Sequence, residues 1–285
     1  MRRLPWLNAL LLIVVAALGA FVYLKPSVDS RNENPLSKLK ASDANTIRIE
    51  RPGASAISLE KKSAGWRVTV PLSARADETR VQRLLSIVEA KSAAKMPATE
   101  LARFELDPPS ATLTIANQAF SFGMVNSLTR EQYVMTDDAV YAVNPRFGAA
   151  LPGTPADLAS KQLFGADEIP VRIALKDFSL EQRDGKWTPS PAPAGDLSQD
   201  DYARWADGWR FASALRAESY VGGKPREDVE VRLKSGTVIT LGILSSGANL
   251  VLTRPDEKLQ YYFNIETAKR LLSPPGKRAA QAAKK

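Results

Sequence analysis

The chain has 285 residues, of which 44% are hydrophobic and 25% are charged, and this composition is typical of a globular protein. It contains no His and no Cys, which excludes Ser-His-Asp triads, cysteine nucleophiles, iron–sulfur clusters, disulfides and the usual His-containing zinc sites. Six cations at the two ends account for most of the formal net charge of +8, so we expect no nucleic-acid-binding surface on the folded part.

The first predicted element is a membrane-spanning helix. The nineteen uncharged residues from Trp6 to Leu24 would reach roughly 28 Å as a helix, close to the thickness of the hydrocarbon core. Arginines at positions 2 and 3 favour a cytoplasmic N-terminus. We therefore predict a signal anchor over residues 1–25, which crosses the bacterial inner membrane through residues 4–24 and leaves the bulk of the chain in the periplasm. The residues taken to represent it are Trp6 and Tyr23 at its interfaces and Leu12 and Val15 within it.

The segments that follow the anchor and that end the chain are polar. Residues 26–45 are rich in Pro, Ser, Asn and charge, which predicts a short tether. Residues 273–285 begin with Ser-Pro-Pro-Gly, which stops the last helix, and continue as a basic tail that we expect to be disordered. If the anchor is instead a cleaved signal peptide, with Ala17-Leu18-Gly19 as the cleavage site, the body is exported all the same.

Between these ends the chain repeats itself with a period of about 120 residues. The first copy covers residues 46–151 and the second covers residues 171–272, with a connector at 152–170. Each copy opens with three runs that alternate apolar and polar residues, which predicts antiparallel strands, and continues with a helix that begins at acidic residues. Two hairpins and a short helix close each copy. The predicted fold class is α+β: a transmembrane helix followed by two tandem repeats of an antiparallel sheet with packed helices.

Five short strand and turn motifs carry a family resemblance. They are Ile49-Glu50-Arg51-Pro52-Gly53, Gly65-Trp66 leading to Pro71, the helix start Ala76-Asp77, Leu106-Asp107-Pro108-Pro109 and Tyr133-Val134. Through these motifs the chain resembles domain-of-unknown-function family 4340, a bacterial family of single-span envelope proteins, over nearly its whole length after the tether. Such proteins are often encoded beside ABC-type transport and gliding-auxiliary components, so the resemblance implies an accessory role. It implies no catalytic residues.

The catalytic candidates have simpler structural interpretations. Ser92-Ala93-Ala94-Lys95 with Lys234-Ser235-Gly236 mimics the motif order of penicillin-interacting serine enzymes, but we expect Ser92 at the frayed end of a helix. Four acidic pairs could hold calcium or divide acid and base roles, yet each is typical of a hairpin turn, a helix start or a loop. They are Asp137-Asp138, Asp200-Asp201, Glu227-Asp228 and Asp256-Glu257. We predict no catalytic, cofactor-binding or metal-binding residue.

Aromatic residues cluster in the second predicted helix. Tyr202, Trp205, Trp209 and Phe211 could line a groove for a glycan, a lipid or a partner helix. The first three fall on one stripe, which is also the ordinary core face of an amphipathic helix, and core packing is the interpretation we favour for them. Together with Tyr220 they form the candidate binding surface.

The predicted function is that of a membrane-anchored periplasmic accessory protein. It would act through protein contacts, for example at exposed strand edges and with an ABC-type permease or another envelope protein. The alternatives are a module that binds a glycan, lipid or small solute in the cleft between the repeats, and a hydrolase that uses only Asp, Glu, Lys or Ser groups.

Overall fold

The computed structural model describes the chain from residue 33 almost to its end. The described residues are 12–16, 18, 33–192, 197–247 and 249–275. Most of the predicted anchor, including Trp6 and Tyr23, lies outside them, whereas Leu12 and Val15 are helical and exposed. Within this described part, no helix combines the length and the apolar character needed to cross a membrane.

The folded part is a mixed α/β structure dominated by two antiparallel sheets of nine and eight strands. Across the first sheet the strands are β5 (Ala74–Arg75), β4 (Gly65–Val70), β3 (Ile57–Lys62), β2 (Thr46–Glu50), β8 (Ala111–Ile115), β9 (Gln118–Val125), β10 (Gln132–Thr136), β11 (Ala139–Val143) and β7 (Lys95–Pro97). Across the second they are β14 (Lys186–Ser190), β13 (Phe178–Arg183), β12 (Pro170–Leu175), β16 (Glu227–Leu233), β17 (Val238–Ser246), β18 (Asn249–Arg254), β19 (Leu259–Asn264) and β15 (Arg216–Ser219). From β4 to β7 and from β14 to β15 the strand order is the same. Among the described strands of these sheets, only β5 lacks a counterpart.

In the part of the chain that the structure describes, four helices pack on these sheets, and each of the three longer ones begins at a polar cap. They are α1 (Glu78–Leu85), α2 (Arg146–Ala149), α3 (Gln199–Arg210) and α4 (Ile265–Leu272). Asp77, Ser198 and Asn264 accept backbone N–H bonds at the starts of α1, α3 and α4, which satisfies donors that have no partner within the helix. Helix α3 packs against β12, β14 and α4, and α4 packs against β18 and β19.

Alternation along the strands builds the core. In β2, Ile47 and Ile49 are each 1% exposed while their neighbours face solvent, as expected for a strand with one buried face. The same period appears in β13, where Phe178 and Leu180 are buried. The helices cover the apolar faces, so the outer faces of β2 and β13 remain polar.

The predicted tether is wrong in its C-terminal half. Residues 34–35 form strand β1, which pairs antiparallel with β6 (Lys91–Ser92). Leu36 is 2% exposed and donates its backbone N–H to the Ala90 carbonyl at 3.0 Å. Because burial of Leu36 and of Ala44 outweighs the polar composition of the segment, residues 34–45 belong to the folded body.

Candidate functional site

The aromatic stripe of α3 lies in the core. Tyr202, Trp205 and Trp209 are 5%, 6% and 0% exposed. Both indole Nε1 groups donate to the carbonyl oxygen of Leu271 at 3.1 Å. Leu271 lies in the last turn of α4, where a carbonyl has no partner within its own helix, so the two tryptophans satisfy an end of α4 and join the two helices.

An open groove of about 690 Å³ lies beside this stripe, between α3 and the end of α4. Of the four residues predicted to form a binding surface, only Trp205 contributes to its wall. Phe211, which follows α3 directly, lines the same groove and is 64% exposed. Tyr220 lies elsewhere, partly exposed, and its hydroxyl donates to the Gly223 carbonyl at 2.6 Å. We call this concavity the α3 groove.

Charged residues of both signs surround the α3 groove. Arg204 pairs with Asp201 at 2.6 Å, and the pKa of Asp201 is lowered by hydrogen bonds from Ser198 and by the charge of Arg204. Arg270 and Asp207 also line the groove, and neither forms an ion pair within the described part of the chain. Among the described residues, the groove therefore combines apolar side chains with a cation, Arg270, and an anion, Asp207, that have no ion-pair partner there.

A second site, missed by the sequence analysis, lies where the two sheets meet. Arg75 of β5 donates from Nε to Glu257 Oε1 at 2.7 Å and from its Nη2 to Glu257 Oε2 at 3.1 Å. Arg254, the last residue of β18, binds both carboxylate oxygens of Glu168 in the connector. We call these four residues the junction cluster. The side chains of Arg254 and Glu257 are each 2% exposed, so the cluster is largely shielded from solvent.

The junction carboxylates are ionised by their arginine partners. Burial alone would raise the pKa of Glu257, but the hydrogen bond from Arg75 and the charges of Arg254 and Arg75 outweigh it and hold the pKa below its usual range. Burial alone would also raise the pKa of Glu168, but the hydrogen bond and the charge of Arg254 outweigh this effect and lower the pKa. Tyr261 donates its hydroxyl to Glu257 at 2.6 Å, and burial raises its pKa. Such groups offer neither a proton donor at neutral pH nor a free base, so the arrangement is structural.

The serine candidate of the sequence analysis is held by backbone groups. Ser92 lies in β6, so its placement at a helix end was wrong. Its hydroxyl donates to the Ala142 carbonyl at 2.6 Å and accepts from the Ala94 N–H at 3.1 Å. A serine oxygen engaged on both sides within a strand lacks the neighbouring base that activates a nucleophile.

Two of the acidic pairs are fully exposed, Asp200-Asp201 is partly exposed, and the fourth pair has one exposed and one buried member. Asp137-Asp138 lies in a hairpin turn and Asp200-Asp201 begins α3, as predicted, while Glu227-Asp228 opens β16 rather than preceding it. Asp256 faces solvent beside the buried Glu257. No set of three or more His, Cys, Asp or Glu side chains in the described ranges is placed to hold a metal ion. Glu257 escaped detection because its partners lie up to 182 residues away and leave no local pattern.

Comparison with known proteins gives one match. A family described as "Domain of unknown function (DUF4340)" matches residues 66–235, more than half of the chain. The match begins in β4 and ends in the hairpin after β16, so it includes Arg75, Glu168 and the whole of α3. No curated protein and no solved structure matches the chain.

Proposed function

Since the chain belongs to the DUF4340 family, we propose that it is a non-catalytic, membrane-anchored protein of the bacterial periplasm that acts through contacts with other envelope proteins. The partner we expect is an envelope membrane protein, with an ABC-type permease as the first candidate. The two similar strand orders fit a tandem duplication of one α+β unit, which is part of the same proposal.

The exposed Phe211 in the α3 groove carries this proposal. A partner that covers Phe211, which is 64% exposed beside the buried Trp205 in an open groove, would bury a large aromatic side chain, and such burial is favourable. The Arg210 guanidinium lies 5.0 Å from the Phe211 ring centroid. Arginine and aromatic residues are enriched where protein interfaces concentrate their binding energy.

Two strand edges are already covered by other parts of the chain, which favours the α3 groove over these edges as the contact site. On β14, the Gln199 side chain bonds both the N–H and the carbonyl of Trp187, and Pro189 has no N–H to offer. On β5, the connector takes the hydrogen bonds of Arg75 and Asp77. These two edges are closed to an added strand, which corrects the expectation of edge docking for them.

A ligand in the cleft between the sheets is not favoured. The cavity at this place has a volume of about 320 Å³ and is lined by Trp66, Arg75 and other residues of the first sheet and the connector, with none from the second sheet. The space between the sheets is instead filled by the junction cluster and by Leu163 and Phe164, which are 0% and 3% exposed.

The proposed anchor would hold the body close to the bilayer. If the span ends at Leu24, only residues 25–33 separate it from β1. Nine extended residues reach at most roughly 30 Å. A body held at this distance suits a partner that is itself embedded in the same membrane.

The test is site-specific photo-crosslinking in membranes from cells that make the full-length chain. A photoreactive residue at position 211 should capture a membrane protein, whereas the same residue at Val238, an exposed strand position on β17, should not. A variant that lacks residues 1–25 should lose the product. Failure of position 211 to capture any protein in the anchored chain would overturn the proposal.

A further inference from the structure

Each sheet is preceded by a short segment that pairs with the residues after its first helix. Before the first sheet, Leu36 donates its N–H to the Ala90 carbonyl at 3.0 Å. Before the second, Leu163 donates to the Ala212 carbonyl at 2.8 Å, and Ala214 donates back to the Lys161 carbonyl at 2.8 Å. Residues 161–163 are therefore an integral part of the second sheet's packing rather than a loose connection.

The residues just before this segment belong to the first sheet. Asp77 donates its N–H to the Leu158 carbonyl, and Ser160 donates to the Arg75 carbonyl, both at 2.8 Å. Ala159 forms a bridge with Ala76. Because Ser160 binds one sheet and Lys161 binds the other, no unattached residue separates the two attachments.

The arginines of the junction cluster add side-chain hydrogen bonds to the same connector segment. The Arg75 guanidinium reaches past the connector to Glu257 and donates on its way to the Gln162 carbonyl at 2.8 Å. Arg254 donates to the Leu163 carbonyl at 2.5 Å and binds Glu168. Each guanidinium thus holds a connector carbonyl and a carboxylate at once, and Arg75 links the first sheet to the second.

We infer that the two sheets form one rigid body whose relative orientation is fixed by connector residues 158–163 and the junction cluster. Motion between domains is the usual expectation for a chain of two units. Here a rotation must separate Arg75 from Glu257, whose side chains are 14% and 2% exposed, where little water is present to replace the lost hydrogen bonds. The inference is independent of the proposed function, since it concerns the coupling of the sheets and not their partners.

Distance measurement between two spin labels tests this directly. The sequence contains no Cys, so cysteines introduced at the exposed turn residues Ser63 and Ser235 would carry the only labels, one on each sheet. The full-length chain should give one narrow distance distribution by double electron–electron resonance. Glu257→Gln, which removes the charge that Arg75 and Arg254 share, should broaden the distribution or add a second distance.

A matched control and a milder variant complete the test. Glu230→Gln removes a carboxylate that pairs with Arg172 within the second sheet, and it should leave the distribution unchanged. Arg75→Lys keeps the charge but loses the bonds to the Gln162 and Leu163 carbonyls, so it should also broaden the distance distribution. This variant provides the test if Glu257→Gln does not fold. A broad distribution in the unmodified chain overturns the inference. An unchanged width in a folded Glu257→Gln or Arg75→Lys chain does the same.

Discussion

The two sheets close equivalent edges with different atoms. In the first, the Trp66 N–H donates to Glu78 Oε1 at 2.9 Å, and the Trp66 carbonyl accepts from Ala76 of the adjoining segment at 2.8 Å. In the second, Gln199 does both tasks, accepting from the Trp187 N–H at 2.7 Å and donating to its carbonyl at 3.0 Å. In the first sheet the carboxylate of Glu78 is sufficient, because the Ala76 N–H already donates to the Trp66 carbonyl. The described part of the second sheet has no counterpart of β5 to donate to the Trp187 carbonyl. The side chain at position 199 must therefore both donate and accept, which an amide does and a carboxylate does not.

The largest effect on stability is expected at the residue eleven positions after the N-cap of α3, which differs from its counterpart after α1. Trp209 after Ser198 is 0% exposed, and Val88 after Asp77 is 2% exposed. Trp209→Ala should lower the free energy of unfolding by about 3–5 kcal/mol, because it leaves a large cavity and one lost donor to Leu271. Val88→Ala should lower it by about 2 kcal/mol. Urea denaturation measures both, and equal losses would contradict the comparison.

Acid should weaken the junction, because its two carboxylates stabilise the fold only in their ionised form. The pKa of Glu257 and of Glu168 is lower in the folded chain than in the unfolded one, so the folded chain binds fewer protons there. Their stabilisation is complete above the unfolded carboxyl pKa of about 4.3 and is lost as pH falls through the folded values.

The measurement is the urea midpoint of the unmodified chain and of Glu257→Gln between pH 7 and pH 3. At pH 7 the variant should be less stable by roughly 3 kcal/mol, because it leaves buried arginine charge uncompensated. The gap should narrow as the pH falls. A difference in stability that stays constant between pH 7 and pH 3 would mean that the ionised form of Glu257 does not contribute to the stability of the fold.

Gln199 and Glu78, which bind the backbone of Trp187 and Trp66, should respond differently when each is replaced by the other residue type. The quantity compared is the free energy of unfolding. Gln199→Glu loses the donor to the Trp187 carbonyl and places a carboxylate against it, so it should cost about 1 kcal/mol. Glu78→Gln keeps the acceptor for the Trp66 N–H and should cost less than about 0.5 kcal/mol. Thermal unfolding of the two variants in parallel measures the difference, and a reversed order would refute the explanation for the amide.

The smallest effect on stability is expected in the α3 groove. Phe211→Ala removes a side chain that is already 64% exposed, so the free energy of unfolding should change by less than about 0.5 kcal/mol. The crosslink yield from a neighbouring groove position such as Arg204 should nevertheless fall. A large loss of stability with unchanged crosslinking would assign Phe211 to the fold instead of to a partner.

Local patterns were sufficient for the longer strands and helices, but they did not predict the short strands β1, β5, β6, β7 and β15. Alternation predicted β2 and β13, and acidic residues predicted the starts of α1 and α3, because the residues responsible lie within a few positions of each other. The tether was misjudged because the burial of Leu36 depends on contacts with Ala90 and Gln118, far along the chain. The same stripe that predicted the core face of α3 could not reveal that Phe211, one residue beyond the helix, turns outward.

The junction also sets an order for folding. The segment that covers β5 follows β11, and Glu257, which neutralises Arg75, comes 182 residues after it. As the chain is made from its N-terminus, the edge at β5 stays open until residues 158–160 follow, and the Arg75 guanidinium lacks Glu257 until the last hairpin of the second sheet has been made. A chain cut between the sheets would therefore leave Arg75 without the carboxylate that neutralises it.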